Sequence, residues 1–148
     1  MTDITNASIP SMRKYLAIEN AAGNEVDISA YILDYGESLP FTNVSDKPGN
    51  AFWDQPLTVG GGIRTVNVPI RLDATIRTII EDAVEAQASV TSSTGFTYTY
   101  GEDSNATGKP NTTGVFVYGS VNLNAPQDSR QEGSFEMQLR SRTRGSFA

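Results

Sequence analysis

Cysteine and histidine are both absent from the 148 residues of the chain, and the chemistry left to it is narrow. No thiolate nucleophile, imidazole base, Ser–His–Asp triad or zinc site of the usual kind can be assembled. Carboxylate, lysine, tyrosine and hydroxyl chemistry remain, with carboxylate-only metal sites. The densest acids, Glu81, Asp82 and Glu85, could imitate a glycosidase pair, but they fall on the solvated side of an expected helix. Glu102-Asp103-Ser104-Asn105 resembles part of a calcium loop, yet lacks the Asp-x-Asp-x-Asp spacing and the closing Glu. Phe96, Tyr98 and Tyr100 stand at period two and suit either a stacking platform or a core. No Lys or Arg is interleaved with them, which speaks against nucleic acid. Gly60-Gly61-Gly62 lacks the Lys-Ser/Thr of a phosphate loop and precedes a strand, so it reads as a hinge. Arg140, Arg142 and Arg144 form a basic stripe at period two. It would either pair with acids on a neighbouring subunit or discourage edge pairing on a solvated strand. No catalytic group, cofactor site or metal site emerges, and an enzyme is not expected.

Composition points the same way. A formal charge of −6, with the acids spread along the chain, argues against gripping nucleic acid through its phosphates. It fits a soluble surface, or one that repels nucleic acid. Met1 to Tyr15 has no apolar stretch to act as a signal peptide, and no apolar run is long enough for a membrane helix. Synthesis in the cytoplasm without a membrane anchor is the expectation. The Asn-x-Ser/Thr matches at Asn6, Asn43, Asn105 and Asn111 are then polar-loop sequence and not glycosylation sites.

The elements that would position these residues are mostly strands in one domain, residues 1–148. Residues 1–12 read as a loose polar tail. Arg13 to Glu19 and Glu25 to Ile32 alternate on either side of the turn Asn20-Ala21-Ala22-Gly23-Asn24, which predicts a hairpin. From Tyr35 to Gly62 no period persists, and Pro40, Pro48 and Pro56 interrupt the chain. So long an irregular stretch is uncommon in a compact domain. It nevertheless carries Leu39, Phe41, Phe52, Trp53 and Leu57, too apolar for a disordered linker. Either it is an arm that docks these residues on a partner, or an Ω-loop that folds them on its own domain.

Ile63 to Leu72 alternates cleanly, and Pro69 places that strand at an edge or a bulge. Ala74 to Ala88 reads as the one helix, capped by Asp73, with Ile76, Ile79, Ile80, Ala83, Val84 and Gln87 on its buried stripe. Gly95 to Tyr100, Val115 to Leu123 and Gly133 to Arg142 complete the strands; Gly101 to Gly114 reads as a polar loop, and Asn124 to Asp128 as a turn. In the last strand Phe135, Met137 and Leu139 point inward and Glu136, Gln138 and Arg140 outward. The expected fold is β-rich α+β: an antiparallel β-sandwich or flattened barrel, one packed helix, and a long extended arm.

Read in order, these features resemble the tail tube proteins of long-tailed bacteriophages. Arg13-Lys14-Tyr15-Leu16-Ala17-Ile18-Glu19 followed by Val26-Asp27-Ile28-Ser29-Ala30-Tyr31-Ile32 matches the opening of that family, whose second strand carries a D-I-S-x-Y pattern. Phe96-Thr97-Tyr98-Thr99-Tyr100-Gly101 leading to Gly108-Lys109-Pro110, and the close from Phe135 to Arg144-Gly145-Ser146-Phe147, continue the likeness to the end of the chain. Each motif is short; their order and spacing carry the resemblance. The arm matches no family motif.

The resemblance implies a structural subunit whose homo-hexameric rings share a continuous inner barrel and stack head to tail, through the arm, into a hollow conduit for DNA ejection. Its site of action would be the virion tail, assembled in the host cytoplasm. Its partners would be other copies of itself and the tape measure, terminator and distal tail proteins, with DNA passing unbound. Glu136 is the expected lumen carboxylate; Leu39, Phe41, Phe52, Trp53 and Leu57 the inter-ring contacts; Arg140, Arg142 and Arg144 the inter-subunit charges. Tail terminators and contractile-injection tubes are the close alternatives. A carbohydrate-binding β-sandwich presenting Trp53 and tyrosines is the distant one.

Overall fold

The computed structural model describes residues 14–46, 49, 53, 55–89, 95–124 and 131–148. The expected N-terminal tail (1–12), Phe52 and most of the turn after Asn124 lie outside them.

The opening hairpin joins β1 (Tyr15–Glu19) to β2 (Glu25–Asp27). Asn20 shapes its turn: the side-chain Oδ1 accepts the Ala22 and Asn24 N–H groups, each at 3.0 Å. Gly23, at φ +89°, takes a left-handed conformation that a side chain would resist. β2 ends at Asp27 and not at Ile32. The Asp27 carboxylate accepts the Ser29 N–H at 2.9 Å, an Asx turn that peels the backbone off the ladder. Ser29 Oγ in turn accepts the Leu16 N–H at 2.9 Å. From Ile28 to Tyr35 the chain crosses the face of the sheet, Ile28 fully buried, to the opposite edge.

There follow β3 (Gly36–Ser38), β4 (Phe41–Asp46), β5 (Gln55–Gly61), β6 (Arg64–Arg71), α1 (Ala74–Ser89), β7 (Phe96–Gly101), β8 (Pro110–Asn124) and β9 (Glu132–Ser146). Seven strands form one sheet in the order β2-β1-β7-β8-β9-β6-β3, with every neighbouring pair antiparallel. β4 and β5 form a separate two-stranded sheet. The β-rich α+β class with one helix is therefore observed. The sheet is open, not closed into a barrel, with the three-residue strands β2 and β3 as its edges.

One face of the sheet is apolar. Leu16, Ile18, Val66, Val68, Ile70, Tyr98, Phe116, Phe135 and Met137 are buried there beneath the crossing segment and α1. Ile76, Ile80 and Ala83 are the buried residues of the helix stripe, and burying each isoleucine contributes about 1.5–3 kcal/mol. The cap is as expected: Asp73 Oδ1 accepts the Ile76 N–H at 3.0 Å. Pro69 also behaves as its missing N–H requires. Its carbonyl accepts the Leu33 N–H at 2.8 Å, and since a strand residue presents N and O on the same side, its nitrogen faces the sheet's sparsely paired outer side.

β8 and β9 are longer than their apolar alternation suggests, fifteen residues each. The expected polar loop Gly101–Gly114 shrinks because Pro110–Gly114 joins β8, pairing with Arg142–Ser146 on β9. Pro110 is no obstacle at a strand's first residue. On the β7 side, the last partner of β8 is Phe96, opposite Phe116, which leaves the Tyr118 backbone without a strand there. Gln87 fills the gap. Its Nε2 donates to Tyr118 O at 3.0 Å and its Oε1 accepts the Tyr118 N–H at 2.7 Å.

Candidate functional site

The stretch Tyr35–Gly62, expected to be irregular, contains a paired β-hairpin. Val44 stands opposite Leu57 and Asn43 opposite Thr58, whose hydroxyl donates to Asn43 Oδ1 at 2.7 Å. One face near the tip is thus apolar and the other polar. Leu57-Thr58-Val59 alternates, but Phe41-Thr42-Asn43-Val44 sets two polar residues between its apolar ones, and the register shifts between Thr42 and Asn43. Phe41 is 69% exposed, Leu57 51% and Trp53 76%; Leu39 is less so, at 38%. Val44, Val59 and Ile63 are exposed as well. A two-stranded hairpin is marginally stable alone and normally needs a further layer against its apolar face. The Ω-loop alternative, with the arm's aromatics folded on their own domain, does not match these exposures.

The arm is held firmly at its root. Gly62 N–H donates to Pro40 O at 3.0 Å, so the triple glycine extends the hairpin into the root and does not open a helix. Edge strand β3 carries Glu37, which takes two 2.9 Å hydrogen bonds from Nε and Nη2 of Arg142. Just before it, the Tyr35 ring stacks on Tyr100 at 3.6 Å and 5°. Between arm and body a cavity of about 300 Å³ is lined by Leu39, Pro40, Phe41, Arg64 and Arg142, with Gly61 and Gly62.

The arginines do not form a single stripe. A register shift between Val115 and Phe116 puts Arg140 in a bulge, while Arg142 and Arg144 pair with Gly114 and Thr112, on the face of Tyr98 and Tyr100. In the monomer Arg142 bonds Glu37, and Arg144 reaches Glu102 Oε1 at 3.1 Å. Glu37 gave no sequence signal, being 105 residues from its partner. Glu136 lies on the other face of the sheet, opposite Asn67 and beside Gln138, whose Nε2 donates to it at 3.3 Å. That face, with Asn67, Glu136 and Gln138, is polar and partly exposed.

Tyr98 and Tyr100 are core residues, 1% and 7% exposed, and the stacking-platform alternative falls with them. Burial pushes both phenols up to about 12, and drives Tyr35 and Tyr118 further in the same direction. They cannot serve as bases near neutral pH. The calcium-like loop is occupied by its own cations: Lys109 Nζ lies 3.1 Å from Asp103, and Arg144 bonds Glu102. Among the described residues no cluster of ligand-type side chains could hold a metal, and no helix is long and apolar enough to cross a membrane.

No protein-family model and no curated protein sequence matches the chain. Solved structures do. A chain from the tail of an empty gene transfer agent particle, refined with C6 symmetry, aligns with a TM-score of 0.64 at 11% identity, covering 95% of this chain and 100% of that one. A chain of the SPP1 tail tube aligns with a TM-score of 0.66 at 15% identity, covering 94% of this chain and 80% of that one. A chain of the sheath–tube complex of an extracellular contractile injection system aligns with a TM-score of 0.64 at 6% identity, covering 99% of each. In fold, the chain is therefore similar to tail and tube proteins, where the sequence resemblance pointed.

Proposed function

We propose that the chain is a non-catalytic structural subunit of a tail tube, in which copies close into hexameric rings and the rings stack into a hollow conduit for DNA. The observation that carries this reading is the pairing of an open antiparallel sheet with an uncovered apolar arm, on a fold shared with tail and tube proteins. An open sheet presents unpaired backbone groups at β2 and β3, and pairing them across subunits into a ring removes that hazard. The inner wall would then be the polar face that carries Asn67, Glu136 and Gln138. Negative or neutral side chains there let a polyanion slide without sticking. The arm, with Leu39, Phe41, Phe52, Trp53 and Leu57, makes the contact between rings. Arg140, Arg142 and Arg144 lie where a neighbouring subunit's acids can share or exchange the bonds made inside the monomer. Tape measure, terminator and distal tail proteins are the partners in the virion tail, and assembly takes place in the host cytoplasm. A contractile tube is the close second reading, since the sheath–tube likeness is equally high.

Negative-stain electron microscopy of the purified chain across a concentration series tests this. Hollow tubes or stacked rings are expected. A monomer at every concentration, with and without candidate tail partners, rejects the proposal.

A further inference from the structure

Arg64, the first residue of β6, falls by the two-residue period on the buried face of Val66, Val68 and Ile70. It is half-buried, and among the described residues its guanidinium has no ion pair and no hydrogen-bond partner. The acid that the neighbouring strand offers, Glu37 opposite Val66, is already bonded twice by Arg142. A partly desolvated charge without a partner is costly, and arginine cannot relieve that cost by giving up its proton. The chain has 17 acidic residues to 11 basic ones, yet this cation is left uncompensated.

Arg64 does not face bulk solvent alone. With Arg142 it forms the body side of the cavity of about 300 Å³ at the arm root; Leu39, Pro40, Phe41, Gly61 and Gly62 form the arm side. Arg142 turns Nε and Nη2 to Glu37. A guanidinium has five N–H groups, so both hydrogens of Nη1 and the second of Nη2 remain to be used. Glu37 thus fixes Arg142 and neutralises it without exhausting its donors, and the unspent charge is that of Arg64. Tyr98 adds a buried hydroxyl with no hydrogen-bond partner. Desolvation raises that phenol most, Glu37 raises it further, and Arg142 and Arg64 pull it back. Its hydroxyl therefore lies within reach of both arginine charges.

We infer that the cavity at the arm root is a binding site for a carboxylate carried on a short apolar stem. The carboxylate takes the charge of Arg64 and the spare donors of Arg142, in the forked geometry that guanidinium groups favour. The stem lies against Leu39, Pro40 and Phe41. An apolar wall with a few placed polar groups is the usual make-up of a small-ligand pocket, and the volume is at the small end of that class. A bare phosphate would leave the apolar side uncovered. The ligand is a free small acid or a protein side chain of the same chemistry, such as a glutamate. This site goes beyond the tube reading and does not depend on it.

The probe is 4-fluorobenzoate, followed by fluorine NMR line broadening, which reads binding to monomers and assemblies alike. Saturable broadening is expected with the parent chain. Arg64→Gln removes no bond within the fold, so its thermal unfolding should match the parent while binding weakens at least about tenfold. Arg71→Gln, exposed at the other end of β6, loses the same charge and should bind as the parent does. Neutral 4-fluorobenzamide should bind the parent at least about tenfold more weakly, a comparison that needs no variant to fold. Fluoroacetate, which keeps the charge but lacks the ring, should also bind more weakly. No broadening with the parent overturns the inference, as does equal binding by Arg64→Gln or by the benzamide. Saturating probe that blocks assembly assigns the natural carboxylate to a side chain of a second copy. Binding with assembly unimpaired assigns it to a free acid.

Discussion

Replacing Gln87 with alanine tests how the helix is fastened to the sheet. The side chain supplies one donor and one acceptor to Tyr118, at 3.0 and 2.7 Å, where β7 no longer reaches β8. Each neutral hydrogen bond contributes about 0.5–1.5 kcal/mol, and leaving a part-buried backbone group unpaired adds to the loss. Alanine's better helix propensity returns a few tenths of a kcal/mol. The expected cost is about 2–3 kcal/mol, which for a domain of this size lowers Tm by about 5–10 °C. Urea unfolding followed by circular dichroism reads it as a lower midpoint at unchanged slope. Q87E keeps the acceptor but loses the donor and sets a carboxylate against the Tyr118 carbonyl, so it should be at least as damaging as Q87A. A cost for Q87A within about 0.5 kcal/mol of zero would show that water serves Tyr118 as well as Gln87 does, and the fastening would be refuted.

Other perturbations follow from the same structure. Gly114→Ala would place a Cβ 2.1 Å from Ser141 O, with Tyr98 also close; the central hairpin must shift, and a loss of about 3 kcal/mol or more is expected in thermal unfolding. Arg142→Lys keeps the charge but loses the paired bonds to Glu37. It should cost about 1 kcal/mol and make the arm root cleave faster in limited proteolysis, and an unchanged digestion pattern would dismiss the clamp. Tyr98 and Tyr100 are held neutral by burial, with folded pKa values of about 12 against 10.0 for the free phenol. A raised folded pKa means that stability is intact below pH 10 and falls as pH climbs from 10 to 12. Tyrosinate absorbance should therefore appear together with loss of the circular dichroism signal in that window. Leu57→Asn with Val44→Asn should leave monomer unfolding within about 0.5 kcal/mol of the parent, because both are exposed, while abolishing tubes in electron micrographs.

What the sequence revealed, and what it hid, divides by the kind of signal involved. The helix and its Asp73 cap, the core face of β6 and the Asn20 turn were legible because their determinants lie within a few residues of one another. The arm hairpin was not, because one bulge displaces its alternation and its strands are polar on one face. The ends of β8 and β9 were missed for a related reason: Asn111, Thr112 and Thr113 carry no hydrophobic period, and strand pairing alone extends them. The clamp between Glu37 and Arg142, and the seat of Gln87 against Tyr118, join residues far apart in sequence, with no local cue for either. The three arginines look like one stripe in sequence because the bulge at Arg140 is a property of the pairing with β8, invisible in β9 by itself.

The long β8–β9 hairpin also acts as a ruler. Fifteen residues at about 3.3 Å give about 45–50 Å of strand. Strands in a closed barrel tilt by about 35–45°, so the hairpin spans about 35–40 Å along the barrel axis. In a stack of such rings that height caps the repeat distance, and each residue added to both strands would lengthen it by about 2.5 Å. The measured length of an assembled tube, divided by its number of rings, is then written in the chain as a count of residues between two turns.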